Sequence, residues 1–131
     1  MKMRTICIVG FLSVLSFSGW AQAEVFDPVK DALREGSAKE LVKYLNQSVD
    51  INLDGNFNTY SKAQAEFVLR DFFRKHRVTD FNIVHTGSSK DGALQFAIGR
   101  YMSNAERYNV LIRVKKVESV NLIHEINFVK E

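Results

Sequence analysis

Four strand-like segments follow one another in the second half of the chain, and the short connections between them limit the fold more than any other feature. The segments cover residues 78–86, 93–102, 107–117 and 120–129. Apolar and polar residues alternate along each, which predicts strands with one buried face. Connections this short cannot hold a crossover helix. We therefore expect antiparallel hairpins in chain order, which together make a meander.

Each of these strands has one face that is more apolar than the other, and we assign that face to the core. One apolar face and one polar face are typical of an antiparallel sheet covered by helices on one side. Three polar side chains, His85, Arg100 and His124, interrupt the predicted inner face. The apolar residues assigned to it are Phe81, Ile83, Leu94, Phe96, Ile98, Met102, Tyr108, Val110, Ile112, Val114, Val120, Leu122, Ile126 and Phe128.

The first half of the mature chain predicts three helices and a hairpin. Asp27 caps a first helix with Pro28 at its first position, and Gly36 ends it. A capping box over 37–40 opens a second short helix, and another over 61–64 opens the longest helix, which runs to His76. Between them, residues 49–53 alternate as a strand, a turn follows at 54–55, and 57–60 form a short return strand.

The longest helix, residues 61–76, has an apolar stripe that predicts its packing face. At 100° per residue, one arc of about 140° collects most of its large side chains. Phe67 falls outside that arc, nearly opposite Phe72 and among charged residues. It is covered by the leading helices, stays exposed or meets a partner. The stripe itself contains Ala65, Val68, Leu69, Phe72, Phe73 and His76.

Polar residues on the predicted inner face suggest a small-molecule pocket. Strand pairing with Ile98 opposite Ile112, and Ile112 opposite His124, places Arg100 and His124 about 10–12 Å apart. Their side chains then converge, with His76 joining from the helix. Tyr108 and Phe73 are the aromatic candidates for the same pocket. The alternative is that Arg100 extends to solvent and His124 is a hydrogen-bonded core residue.

A second set of residues is predicted to form a partner surface. Tyr101, Leu111, Ile123 and Val129 are the apolar residues that this face assignment puts on the outer side of the sheet. They could mediate a homodimer, while Phe67 is the corresponding candidate on the long helix.

No motif in the sequence predicts catalysis or a metal centre. The mature chain has no cysteine, its histidines are scattered, and neither H-x-H nor H-E-x-x-H occurs. The glycines form no phosphate-binding pattern, and no nucleophile elbow is present. We expect no metal site and no cofactor.

The N-terminal segment is typical of a secretory signal peptide. Lys2 and Arg4 precede an apolar stretch over 6–17, and 21–23 is a small-x-small cleavage pattern. We predict that residues 1–23 are removed and that 24–131 form a single domain, periplasmic or extracellular, with no membrane span. Without Lys2 and Arg4, 16 of the 18 basic side chains remain against 15 acidic ones. A near-neutral exported domain is a poor candidate for nucleic-acid binding.

The order of these elements resembles the nuclear transport factor 2-like superfamily, in which a curved antiparallel sheet wraps around helices into a cone. Within it, YSKAQAEFVLRDFFRKH, HTGSS and AIGRY resemble the domain of unknown function 4783 family of small exported bacterial proteins. The resemblance implies an α+β cone around a long helix, with two short N-terminal helices. The superfamily contains both enzymes and binding modules. The family implies no established activity and hence no functional residues.

The resulting expectation is a non-catalytic exported module that binds an apolar or amphipathic small molecule or a protein. The alternative is a small isomerase- or dehydratase-like enzyme that uses His124 or His85 as its base. A filled cone favours an interaction module. An open cavity with a histidine and a carboxylate at hydrogen-bond distance favours catalysis.

Overall fold

Residues 25–131 are described in the computed structural model, and they form a mixed α+β fold with a curved six-stranded sheet. The predicted signal peptide, 1–23, lies outside the described residues. Among the described residues, no helix is long and apolar enough to cross a membrane. The elements are α1 (Asp27–Glu35), α2 (Ala38–Val42), β1 (Leu45–Leu53), β2 (Asn56–Ser61), α3 (Lys62–Lys75), β3 (Asp80–Ser88), β4 (Leu94–Ser103), β5 (Glu106–Val117) and β6 (Val120–Lys130).

The sheet has the strand order β2-β1-β6-β5-β4-β3. The four strands β3 to β6 form the antiparallel meander that the short connections predict. One pair in the sheet is parallel, since β1 pairs with β6 in parallel, with Ile51 beside Ile126. The parallel pair is possible because the long connection through α3 and the meander carries the chain from β1 back to the same edge.

The helix boundaries follow the capping signals with one exception. The Ser61 hydroxyl accepts a hydrogen bond from the Gln64 N–H, and the Gln64 side chain accepts one from the Ser61 N–H, so α3 begins with the predicted capping box. Gly36 ends α1 at φ 64°, in the left-handed region that favours glycine. Phe26, not Asp27, is the N-cap of α1, and no side chain caps that end.

The core lies between the helices and the inner face of the sheet, and aromatic rings fill its centre. Ala65, Leu69, Phe72 and Phe73 of α3 are buried, as the stripe predicts. The Phe72 ring packs against neighbouring rings at centroid distances of 4.6–6.0 Å. These rings are Phe73, His76, Tyr101, Tyr108 and Phe128. The middle of the cone is therefore filled with side chains.

The predicted inner face of β4 is wrong. Ala97, Gly99, Tyr101 and Ser103 point into the core, whereas Arg100 is exposed on the outer face. The buried ring of Phe81 explains why Gly99 lies on the inner face, because a Cβ at position 99 would lie 2.6 Å from the Cζ of that ring. The inner side of β4 needs small residues under that ring, and small residues give no apolar signal in a sequence pattern.

Two irregularities in pairing move both strand histidines away from their predicted places. The β3–β4 register shifts between Ile83 and His85, after which His85 is exposed and packs on the Phe96 ring at 5.8 Å. The β5–β6 register shifts between Arg113 and Val114, which turns Ile123 inward. Ile112 consequently pairs with Ile126 and not with His124. A β-bulge is the usual cause of such a reversal of faces.

Candidate functional site

A cleft of about 570 Å³ opens where β1 ends, β5 begins and β6 ends, against the outer side of α3. We call it the mouth cleft. About half of its lining is aromatic or aliphatic, and the rest is polar, with charges of both signs. The lining residues are Leu53, Asp54, Asn56, Tyr60, Phe67, Val68, Asp71, Phe72, Lys75, His76, Glu106, Tyr108 and Lys130.

Glu106 is the centre of a polar network on the rim. Its Oε2 accepts from Lys130 Nζ at 2.9 Å, and its Oε1 lies 2.9 Å from His76 Nδ1. The Tyr108 hydroxyl lies 3.2 Å from the same Nδ1. Three strand or helix ends meet at this point, namely the end of α3, the start of β5 and the end of β6. The carboxylate thus links the helix to both central strands.

The network fixes the ionic state of its carboxyl group. The hydrogen bond from Lys130, and next the one from His76, lowers the pKa of Glu106 below its usual range. The same carboxylate raises the pKa of Lys130. Burial, and then the charge of Glu106, raises the pKa of Tyr108. Since an ionised carboxylate only accepts hydrogen bonds, the proton of the His76 ring lies on Nδ1.

His76 is held in place by its backbone as well as its ring. Its N–H donates to the Phe72 carbonyl at 2.8 Å, which makes it the C-cap of α3. The buried hydroxyl of Tyr101 donates to the His76 carbonyl. The ring packs on Phe72 at 4.9 Å. These contacts leave Nε2 as the nitrogen without a partner among the described residues.

Phe67 forms an exposed wall of the mouth cleft. Its side chain is 69% exposed, the highest value among the large apolar residues described. The Arg70 guanidinium lies 5.6 Å from its ring centroid, within cation–π range. Asp71 bonds to Lys75 at 3.1 Å and to Arg74 at 2.6 Å, and its pKa is lowered, first by Lys75. The exposed Phe67 ring, with these charged side chains around it, can contact a flat apolar group.

The structure brings together only part of the predicted pocket. His76 and Tyr108 line the mouth cleft. Arg100 lies on the opposite face of the sheet, and His124 Nδ1 lies 3.1 Å from the Leu122 carbonyl at the β6 irregularity. The predicted convergence of Arg100 and His124 is therefore wrong. Phe73 is buried and borders a separate depression beside Gly36.

The predicted partner surface is also only partly where it was placed. Tyr101 and Ile123 are buried in the core, because the β4 face and the β6 irregularity reverse their assignment. Leu111 and Val129 do lie on the outer face, beside Ile98 and Asn109 in the register. Homodimer formation through that face stays a prediction. Phe67, the candidate on the helix, is exposed and lies in the cleft.

Two residues of the network, Glu106 and Lys130, were missed from the sequence. Glu106 lies in what reads as a turn, and Lys130 follows the last apolar residue of its strand. A signal was present, because the start of β5 and the end of β6 must share one edge in a meander, and Tyr108 pairs with Lys130. Among the described residues, no three His, Cys, Asp or Glu side chains are grouped closely enough to hold a metal ion.

Comparison with known proteins finds a family whose sequence profile matches this chain. The profile of a domain of unknown function, DUF4783, matches residues 26–129. The crystal structure of a DUF4783 family protein from Bacteroides uniformis is 31% identical, with a TM-score of 0.76, over 80% of this chain and 95% of that chain. One from Bacteroides ovatus is also 31% identical, with a TM-score of 0.75, over 80% of this chain and 94% of that chain.

More distant similarity concerns the fold alone. A nuclear transport factor 2-like protein of unknown function from Shewanella baltica is 13% identical, with a TM-score of 0.63, over 85% of this chain and 91% of that chain. No curated protein matches the chain. The resemblance stated from the sequence is confirmed at both levels. The chain belongs to the DUF4783 family and has the nuclear transport factor 2-like fold.

Proposed function

We propose that the protein is an exported, non-catalytic module that binds a small amphipathic molecule in the mouth cleft. The observation that carries the proposal is the exposed ring of Phe67 on the cleft wall, facing a rim that bears the His76–Glu106–Lys130 network. Exposing a large aromatic side chain to water is unfavourable, and an apolar group bound against the ring would remove that surface from water and so gain free energy.

The size and chemistry of the cleft support this proposal. Its volume of about 570 Å³ falls within the range of ligand sites, roughly 300–1,000 Å³. The rings of Phe72 and Tyr108 reach its floor, so the base is rigid and apolar. Lys75 and Lys130 supply donors, and Asp54 and Glu106 supply acceptors. We infer a ligand with one flat apolar part and one polar or charged group.

A titration followed by NMR tests this function with two probes of opposite charge, indole-3-acetate and tryptamine. We expect saturable amide shifts confined to Asn56, Phe67, Lys75 and Glu106 for at least one probe. Replacing the wall ring, Phe67→Ser, should weaken binding about fivefold, as expected when one aromatic contact is lost. Phe57→Ser is the matched control, since that ring is 57% exposed but lies outside the cleft. Absent shifts, or equal weakening by both variants, would contradict the proposal.

The second candidate function is catalysis, and the 2.9 Å contact between His76 and Glu106 favours it. A carboxylate that fixes the Nδ1 proton leaves Nε2 able to accept a proton from a bound molecule. The base would then be His76, and not His85 or His124. Against it, Glu106 is shared with Lys130, and both His76 and Glu106 are about a third exposed, so solvent weakens their coupling.

Deuterium uptake by 2-indanone separates the two functions, because this aromatic ketone has acidic α-protons. A binding module leaves uptake at the buffer rate. An enzyme accelerates it, and the acceleration disappears in His76→Gln and falls in Glu106→Gln. The position of the mature N-terminus, measured by intact mass after secretion, tests export separately. We expect it to be Glu24.

A further inference from the structure

The end of the sheet opposite the mouth cleft carries a second exposed apolar surface. We call it the tip patch, and it consists of Leu94, Phe96, Val117, Val120 and Leu122. Leu94 and Leu122 both pair with Lys115, and Val117 pairs with Val120. Paired residues lie on the same face of a sheet, as do residues two positions apart in a strand, which places Phe96 beside Leu94. All five apolar residues therefore share the outer face at one end. Leu94 and Val120 are 51% and 54% exposed. Since β5 spans roughly 35 Å, this surface is separate from the mouth cleft.

The hairpin at the tip patch has a tight turn. Glu118 and Ser119 form the two-residue turn between β5 and β6, with φ of 49° and 69°. Positive φ at both positions is typical of the tight type I′ hairpin turn. Val117 and Val120 flank this turn and are both exposed. An apolar hairpin of this kind can enter the interfacial layer of a bilayer.

Unpaired cations surround the tip patch. Lys90, Lys115 and Lys116 are exposed and have no ion pair among the described residues. Arg113 has a single distant carboxylate contact, 3.8 Å from Glu125. The acids nearby are Asp91, Glu118 and Glu125. Asp91 is engaged by the Ser89 hydroxyl and the Ala93 N–H.

A shallow groove beside the hairpin fits a lipid headgroup. Its volume is about 510 Å³, and Leu94, Phe96 and Leu111 form its apolar lining. Arg113 and Lys115 line the same groove and lie two residues apart on one face of β5. A phosphate between these two cations would leave its acyl chains next to the apolar lining.

We propose that the tip patch docks on the surface of a bilayer that contains anionic phospholipids. The hairpin places Val117 and Val120 in the interfacial layer, and the lysines and Arg113 contact phosphates. Docking by this end directs the mouth cleft away from the membrane and into solvent. The proposal does not depend on the function of that cleft.

Flotation with vesicles tests the proposal on protein expressed from the full chain, with intact mass confirming that the apolar segment 6–17 has been removed. Vesicles of phosphatidylglycerol and phosphatidylcholine should bind the protein, and vesicles of phosphatidylcholine alone should not. Raising salt from about 0.02 M to about 0.5 M should release it, because the screening length falls to a few ångströms. Removing two lysines, Lys115→Gln with Lys116→Gln, should weaken binding roughly 30-fold, since each lysine contributes about fivefold.

One further variant tests the role of the apolar side chains, and another serves as its control. Val117→Ser with Val120→Ser should abolish binding, while Lys30→Gln with Lys39→Gln, which removes two lysines on α1 and α2, should not change it. Absence of binding to anionic vesicles, or equal binding by the valine variant, would overturn the proposal. So would sedimentation showing a dimer that the valine variant dissociates, because a second copy would then cover the patch.

Discussion

Alanine at position 99 puts a methyl group into the most crowded part of the inner sheet face. The added Cβ would lie 2.6 Å and 2.8 Å from Cζ and Cε1 of Phe81, and 2.9 Å from the backbone oxygen of Asn82. Phe81 is fully buried, so its ring has no open space to move into. A backbone oxygen in a paired strand cannot move without disturbing the β3–β4 ladder.

The size of the effect follows from two opposing terms. Overpacking a well-packed core costs about 1–3 kcal/mol, and a clash with both a buried ring and the backbone belongs in the upper half of that range. Replacing glycine stabilises by about 0.4–1 kcal/mol through the unfolded chain. We therefore expect Gly99→Ala to lower the free energy of unfolding by roughly 1–2.5 kcal/mol, which is a fall in Tm of roughly 4–15 °C.

Thermal and urea unfolding measure this change, and two further variants make the result specific. At Gly87 the three atoms nearest to an added Cβ all belong to the ring of Phe96, a partly exposed side chain on the outer face that has room to move, so Gly87→Ala should cost less. Phe81→Leu removes the ring atoms nearest to position 99, so Gly99→Ala should cost less in that background. If position 99 faced solvent, as the alternating pattern of β4 predicts, alanine would be neutral or stabilising. An unchanged or raised Tm for Gly99→Ala would therefore refute the inward face of β4.

Three further variants test the core, the rim and a helix end. Phe72→Ala should lower the free energy of unfolding by about 3–5 kcal/mol in urea, since it empties the centre of the aromatic core; an unchanged midpoint would contradict that burial. The pKa of Glu106 is lowered by Lys130 and then by His76, so the stability it contributes is present above its ordinary pKa and is lost as pH falls through the lowered native value. Glu106→Gln should accordingly flatten the acid limb of Tm against pH, and an identical acid limb would show that the rim network adds nothing. Ser61→Ala removes the acceptor of the capping box and should cost about 0.5–2 kcal/mol in urea, with Ser61→Thr as the retained-cap control.

Local signals in the sequence predicted the elements because each depends on neighbouring residues. The box at Ser61 and Gln64 and the left-handed end at Gly36 are set within one helical turn. The face of β4 is set by Phe81, a residue from another strand, and its inner residues include Gly99 and Ala97, which carry almost no hydrophobic signal. Alternation alone therefore selected the wrong side.

Of the residues that form the mouth cleft network, only the aromatic and imidazole side chains were predicted from the sequence. His76 and Tyr108 could be found because they continue apolar stripes, whereas Glu106 and Lys130 lie at strand ends, where charged residues are ordinary. Their proximity depends on register, and one irregular pair near Val114 shifts the partners of β6 along the strand. A pattern read along a single strand cannot detect that shift, because the extra residue, His124 of β6, shows only when β6 is aligned with β5.

The parallel pairing of β1 with β6 has a consequence for the order in which the chain can acquire structure. β6 lies between β1 and β5, so the helical half and the strands β3 to β5 have no common sheet until β6 has paired with both sides. Pairing across more than 70 positions of sequence is also slow relative to local hairpins. The joining of the two halves into one sheet is therefore a late event in folding, and it depends on β6 finding both of its neighbours.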